Sequence, residues 1–306
     1  MVSPISGSNN TTLLKVLDTE EIAQRWYKQL GVDVGDAFRS IDKLEYWVCN
    51  DTGLRWYEPP EAAGSSHLYS QLEKYEWYYM SEKWEFVKTI NSFSPNSTVL
   101  EIGSGRGYFI ELAQKAGHSA VGIESNLSAV SFARERGLNI SSNTLAELYD
   151  SGHSFDYVCA FQVLEHLPNP RQFLLDVIRL LKPNGHLFLS TPNHFFMQKI
   201  DPLNQDLLNQ PPHHMSHWDK NVFKSLEKYL PLQVVSIEYE PLASYHVEWA
   251  VNGYLKGLLT PLFPKLITRL IFNRYTTLPI HFILRAGLRK FLIGHTILVD
   301  FVKISG

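Results

Sequence analysis

Only two of the 306 residues are cysteine, Cys49 and Cys159. Two thiols cannot hold a zinc ion by themselves, and so few argue for free thiols in a reducing compartment. No run of about 18 uninterrupted apolar residues exists, so no bilayer-spanning helix is expected. The first residues, MVSPISGSNNTTLL, lack the basic start and apolar core of a secretory signal. A cytoplasmic location is therefore expected, and Asn96-Ser97-Thr98 is a chance match to the glycosylation pattern. Charge is nearly balanced, with 28 Lys and Arg against 31 Asp and Glu, which argues against a dedicated nucleic-acid binder. Internal repeats and low-complexity segments are missing too. What is there is an ordinary globular balance, 44% hydrophobic and 19% charged, in a chain long enough for one large domain with additions.

Residues 1 to about 15 are small and polar, and a mobile start is expected. Ile22, Trp26, Tyr27 and Leu30 recur at helical spacing from Thr19 to about Leu30, with Asp18 or Thr19 as cap and Gly31 as stop. YWVCNDTGLRWYEPP (46–60) reads as two short strands about an Asn-Asp-Thr-Gly turn. LYSQLEKYEWYYMSEKWEFVKTI (68–90) reads as one aromatic helical stretch. These parts make a preface, residues 1–95. From residue 96 the pattern becomes regular. Strands are expected at STVLEIG, SAVGIES, NISSN, FDYVCAFQV, HLFLSTPN, QVVSIEYEP and HTILVDFVK, with helices between the first five. Such alternation predicts an α/β fold, a doubly wound sheet of seven strands with helices on both faces over 96–306.

VLEIGSGRGYF (99–109) poses the functional question. A glycine turn after the first strand of such a sheet lies in the ligand crevice. A dinucleotide fold needs a third glycine where Tyr108 stands, and no Gly-Lys-Ser/Thr follows for a phosphate loop. Instead Glu101 sits just inside the turn, where it would repel a pyrophosphate and favour a cation. Glu124 ends the second strand, where a carboxylate accepts ribose hydroxyls. A cationic amino-acid tail on a nucleoside without phosphate describes S-adenosyl-L-methionine.

VLEIGSGRGYF, VGIES, FDYVCAFQVLEHLPNP and LLKPNGHLFLSTPN, in that order, resemble the successive motifs of class I S-adenosylmethionine-dependent methyltransferases over about residues 80–240 and the last strand. The resemblance implies a Rossmann-like fold in which Glu101, Gly103, Ser104, Gly105 and Gly107 hold the methionine part and Glu124 the ribose. It also assigns Phe161, Thr144 and Leu145 to the cofactor. Thr144 stands where relatives often carry an aspartate near the adenine amino group, so adenine recognition is expected to rest on Leu145 and backbone groups.

QVLEHL (162–167) and PPHHMSHWDK (211–220) together supply Glu165, His166, His213, His214 and His217. Ubiquinone-pathway and small-RNA methyltransferases read Glu-x-x-Glu-His here and hold a divalent cation with a later His. This chain has Gln162 in place of the first Glu, while Glu165 and His166 match and His214 is the candidate for the later His, so a divalent metal is possible but not favoured. His166 and His214 are expected to act as bases or to orient the acceptor. Tyr78 or Tyr79, in the aromatic preface, is expected to lid the cofactor. The insertion at 244–294 is apolar and basic, with seven Lys and Arg against Glu248 alone. Pro261, Pro264 and Pro279 should break it into short helices. Three readings stand for it: a wall of the acceptor pocket, a homodimer contact, or a peripheral contact with the inner face of an anionic membrane. The expected reaction is O-methylation of a small molecule, sugar or glycan. A lipophilic quinone-type phenol is the alternative acceptor, and a non-catalytic cofactor-binding partner subunit the alternative of another class.

Overall fold

The computed structural model describes residues 1–259 and 274–304. The chain opens with an ordered strand, β1 (Thr11–Asp18), and not with the mobile start expected. Ile5 and Ser3 before it are already buried. β1 pairs antiparallel with β2 (Lys43–Cys49), which pairs with β3 (Arg55–Glu58). Helix α1 (Thr19–Leu30) runs as expected: Asp18 accepts from the Glu21 amide, and Gly31 closes the helix in the left-handed region. The aromatic stretch is not one helix. It forms α2 (Ser66–Leu72) and α3 (Trp84–Ile90), separated by turns. The reason lies in packing. Leu68 and Leu72 enter the N-terminal core with Trp26, Leu44 and Tyr57, whereas Phe86 enters a core on the main sheet, so the chain must break between them.

The main sheet follows the expected alternation. β4 (Thr98–Ile102), α4 (Tyr108–Lys115), β5 (Ser119–Ile123), α5 (Leu127–Glu135), β6 (Ile140–Ser141), α6 (Leu145–Asp150), β7 (Phe155–Phe161), α7 (Pro170–Leu180) and β8 (Leu181–Pro192) alternate along the chain. After β8 come α8 (His194–Ile200), β9 (Ser216–His217), α9 (Lys220–Ser225) and β10 (Leu232–Pro241). The insertion holds α10 (Val247–Leu259) and α11 (Arg274–Arg285), and β11 (Ile293–Lys303) ends the sheet. Pro261 and Pro264 lie outside the described residues. Pro279 lies inside α11 and does not end it, at the loss of one backbone hydrogen bond.

The sheet order is β10-β11-β8-β7-β4-β5-β6, seven strands as expected, with β11 antiparallel to both neighbours. Strand order reverses between β4 and β7, so the crevice beyond their C-terminal ends is the natural ligand position. Residues of β7 alternate between two cores. Val158 and Ala160 join one, and Tyr157, Cys159 and Phe161 the other. The preface is not a separate layer, because β9 adds its two residues to the β1-β2-β3 sheet through Arg55–His217 and Trp56–Ser216 pairing.

Phe109, fully buried in the first turn of α4, packs edge-on against Phe161 and tilted against Phe86. Phe109→Ala should cost about 3–5 kcal/mol of stability in urea unfolding. A loss below about 1 kcal/mol would mean that this aromatic layer does not anchor the glycine turn to the sheet.

Candidate functional site

Two clusters lie beyond the C-terminal ends of the strands. The first is the glycine turn. The amides of Gly103 and Ser104 both donate to the Ile123 carbonyl, at 2.9 and 3.1 Å, which folds the turn back onto β5. The Gly105 amide donates to Glu124 Oε2 at 2.8 Å, and the Asn126 amide donates to Oε1 at 2.8 Å. Glu124 is thus fixed against the turn by both oxygens. Gly105 and Gly107 have φ of +49° and +80°, a region open to glycine at little cost. A Cβ on Gly107 would also come within 2.6 Å of Leu138 and Ile140, so close packing of α4 needs that glycine.

Glu101 is 3% exposed, and its Oε2 has no hydrogen-bond partner. Burial holds its carboxyl well above the usual range, with Lys83 pulling it down and Glu124 pushing it up. An orphaned acid at this position is what a cationic ligand would satisfy. Tyr79 lies flush on the turn: a Cβ on Gly105 would sit 2.8 Å from its ring. Asn126 Nδ2 donates to the Tyr79 hydroxyl at 3.3 Å, and the Arg106 guanidinium stands over the ring at 5.4 Å. Of the two candidate lid residues, Tyr79 covers the turn, while Tyr78 faces His213 with ring centroids 6.2 Å apart.

Two assigned side chains are otherwise engaged. The Phe161 ring packs against Phe86 and Phe109, so its ring belongs to the core. Thr144 is the exposed N-cap of α6, and its hydroxyl and amide form a capping box with Glu147. The Thr-x-x-Glu spacing was readable as that box in the sequence. Leu145 is half-buried against the main core.

The second cluster is built by the loops after β7 and β8. Gln162, in the left-handed region at φ +56°, turns the chain into a short 3-10 helix, Leu164–His166. The Met215 amide donates to the Glu165 carbonyl at 2.7 Å, and β9 fixes the following residues to β3. His166, His213 and His214 meet there, one ring nitrogen of each within 4.8 Å of the others. Each Nδ1 faces an oxygen: His166 the His213 carbonyl at 2.5 Å, His213 the Leu208 carbonyl at 2.8 Å, His214 Asn209 Oδ1 at 3.3 Å. Donation from Nδ1 leaves each Nε2 with a free lone pair. Glu165 is 1% exposed, and neither carboxylate oxygen has a partner. Its Oε1 lies 3.9 Å from His166 Nε2 and 4.0 Å from His214 Nε2. Burial pushes Glu165 up to about 8, His166 down to about 4 and His213 down to about 3. Burial thus disfavours charge throughout the cluster and favours a protonated acid beside unprotonated imidazoles.

His217 stands apart from the other three. Its Nδ1 meets the Tyr46 hydroxyl at 2.6 Å and its Nε2 the Asn209 carbonyl at 2.8 Å. Three residues were not assigned from the sequence. Lys83 acts electrostatically on Glu101, Glu165 and His166, and so spans both clusters. Tyr69 presents its ring at right angles to His166, centroids 5.7 Å apart. His194 stacks on His217 at 4.8 Å. Lys83 and His194 sat next to elements already recognised, but no local spacing tied them to the site.

The chain matches a family described as a methyltransferase domain over residues 74–236. A mitochondrial ubiquinone biosynthesis O-methyltransferase of Dictyostelium discoideum is 30% identical over 214 residues, covering 61% of this chain and 65% of that protein. A ubiquinone biosynthesis O-methyltransferase of Rickettsia conorii is 34% identical over 115 residues, 36% of this chain and 39% of that protein. The chain thus spans less than two thirds of the length of these curated relatives. Among solved structures, a SAM-dependent methyltransferase from Archaeoglobus fulgidus shares the fold, with a TM-score of 0.50 at 19% identity, over 77% of this chain and all of that one. With the glycine turn, the acids at the ends of β4 and β5 and the seven-stranded order all in place, the chain belongs to the class I S-adenosylmethionine-dependent methyltransferase family.

Proposed function

We propose that the protein methylates an oxygen of a small-molecule, sugar or glycan acceptor, using S-adenosyl-L-methionine. The observation that carries this reading is Glu101, a buried acid without a partner at the glycine turn, beside Glu124 fixed by two amides. The bound cofactor supplies an electrophilic methyl group on a sulfonium. Glu101 and the Gly103–Gly107 backbone hold its methionine part, and Glu124 holds its ribose. The second cluster deprotonates the acceptor. With Nδ1 tied to an oxygen, His166 or His214 offers Nε2 as acceptor for a hydroxyl proton. Burial makes them weak bases, so the proton would pass only as the acceptor oxygen bonds the methyl carbon and its O–H becomes acidic. Alignment supplies much of the remainder, about 7–11 kcal/mol in favourable cases.

The relatives named for ubiquinone biosynthesis support the second acceptor, a lipophilic phenol. Transfer of labelled methyl across sugar, phenol and RNA pools separates the two. Label in phenols alone favours the second, and cofactor binding without transfer to any pool favours a non-catalytic subunit. With the acceptor in hand, His166→Ala or His214→Ala should lower kcat about 10²–10⁴-fold and leave cofactor affinity intact. Unchanged kcat in both would remove the base from the account.

Cofactor binding should release a proton. Burial raises Glu101 well above the usual carboxylate range in the free protein, and an adjacent cation lowers it, so binding releases protons wherever free Glu101 is still protonated and affinity rises with pH until it ionises without ligand. Calorimetry in two buffers of different ionisation enthalpy reads this directly. The parent should release more protons than Glu101→Gln, which should also bind at least about 10-fold more weakly, as loss of a charge-assisted bond implies. Equal proton release in both would contradict the assignment.

A divalent cation held by the same Nε2 atoms is the alternative to a histidine base, and one observation supports it. His213 joins His166 and His214, and Glu165 faces them with both oxygens unpartnered. Three imidazoles and one carboxylate suit manganese, iron or zinc better than magnesium, which prefers oxygen ligands. Each Nδ1 already has an oxygen partner, as ligating histidines usually do. The purified protein equilibrated with Mn²⁺ and desalted should retain about one ion per chain by elemental analysis, and His213→Ala should retain none. No retention by the parent, or equal retention by both, would return the cluster to proton transfer alone.

A further inference from the structure

The last part of the basic insertion, residues 278–293, turns several apolar side chains outward. On α11, Thr277 and His281 are buried and Leu284 packs toward Phe196 and Val247, a spacing that marks the inner face of a helix. The opposite face carries Leu278, Phe282 and Ile283, and Phe282 is 75% exposed. The chain continues through a 3-10 turn, Leu288–Phe291, whose Phe291 is 86% exposed, followed by exposed Leu292 and Ile293. Single exposed apolar residues need no explanation, but this many bulky ones within one short segment do.

The charge around them has one sign. Arg285 and Lys290 are exposed and have no acidic partner among the described residues, and no aspartate or glutamate occurs between Glu248 and Asp300. Arg289 donates to the Leu242 carbonyl at 3.0 Å, which ties the turn to the end of β10. No helix among the described residues is long and apolar enough to cross a membrane. An apolar face bordered by cations on a short helix is the pattern of a segment lying in the plane of a bilayer surface.

We propose that α11 and the Leu288–Ile293 turn dock the protein on an anionic lipid surface, with Phe282 and Phe291 entering the headgroup region and Arg285 and Lys290 facing lipid phosphates. A second copy of the chain fits less well. A symmetric pair would set this face against itself, and Arg285 and Lys290 would meet their own counterparts without an acid to receive them. The assignment is independent of the reaction and of the acceptor.

Vesicle flotation tests it with the full chain. Phosphatidylcholine vesicles are compared with vesicles of phosphatidylcholine and phosphatidylglycerol, at low and high salt. The parent should float with the anionic vesicles, stay behind with the neutral ones, and lose most binding at high salt. Phe282→Glu combined with Phe291→Glu should abolish flotation, and Arg285→Gln combined with Lys290→Gln should reduce it about 10-fold. These positions are exposed, so both variants should keep the parent's thermal unfolding midpoint and cofactor binding. A parent that floats with neither vesicle, that floats equally with both, or whose aromatic variant floats as well as it does, overturns the proposal. So does a vesicle-free dimer by light scattering that Phe282→Glu converts to monomer, which would assign the face to a second copy.

Discussion

Two buried carboxyl groups with unpartnered oxygens set the terms for the rest of this structure. Glu101 and Glu165 are each almost fully covered at the ends of β4 and β7. Burial of an unpaired charge is costly, and it raises both groups well above the usual carboxylate range. Such sites persist where something else returns the cost, and a cation beside each carboxyl would do so. Among the described residues Lys83 acts on both, and it stands on the segment that joins the two cores. A cationic ligand would favour ionisation of these acids, whereas a phosphate would oppose it.

The preface serves the site by completing a sheet. β9 is two residues long and would not persist alone, yet pairing with β3 fixes the segment that carries His213, His214 and His217. His217 uses both nitrogens to join that segment to Tyr46 and Asn209, and Asn209 in turn orients His214. A change in the N-terminal sheet is therefore a change in the geometry of the histidine cluster, although the two are more than 150 residues apart in the chain.

Much of this was legible in the sequence, and the exceptions have physical causes. The strands of the main sheet stand out because burial on both faces demands continuous apolar runs. β1 does not, because it lies at a sheet edge, almost wholly exposed, and is held by its ladder with β2 and not by burial. The break between α2 and α3 is invisible locally, since each half has helical spacing and only the division between two cores separates them. At the site, Glu101, Glu124 and the glycines were found by position in the fold. The ring of Phe161 lies with Tyr157 and Cys159 in the core, as strand alternation requires. Thr144 caps α6 together with Glu147, and the Thr-x-x-Glu spacing already described that cap. His213 was seen but not placed, because its role depends on the Leu208 carbonyl, which only the folded turn supplies.

The central claim is that acidic side chains at the glycine turn receive the cationic end and the ribose of a phosphate-free nucleoside. A crystal structure of the full chain with S-adenosylhomocysteine measures this most directly. The account predicts the amino group on Glu101 and the ribose hydroxyls on Glu124. A ligand seated elsewhere, or one bound in this crevice with both carboxyl groups turned away from it, would contradict the account.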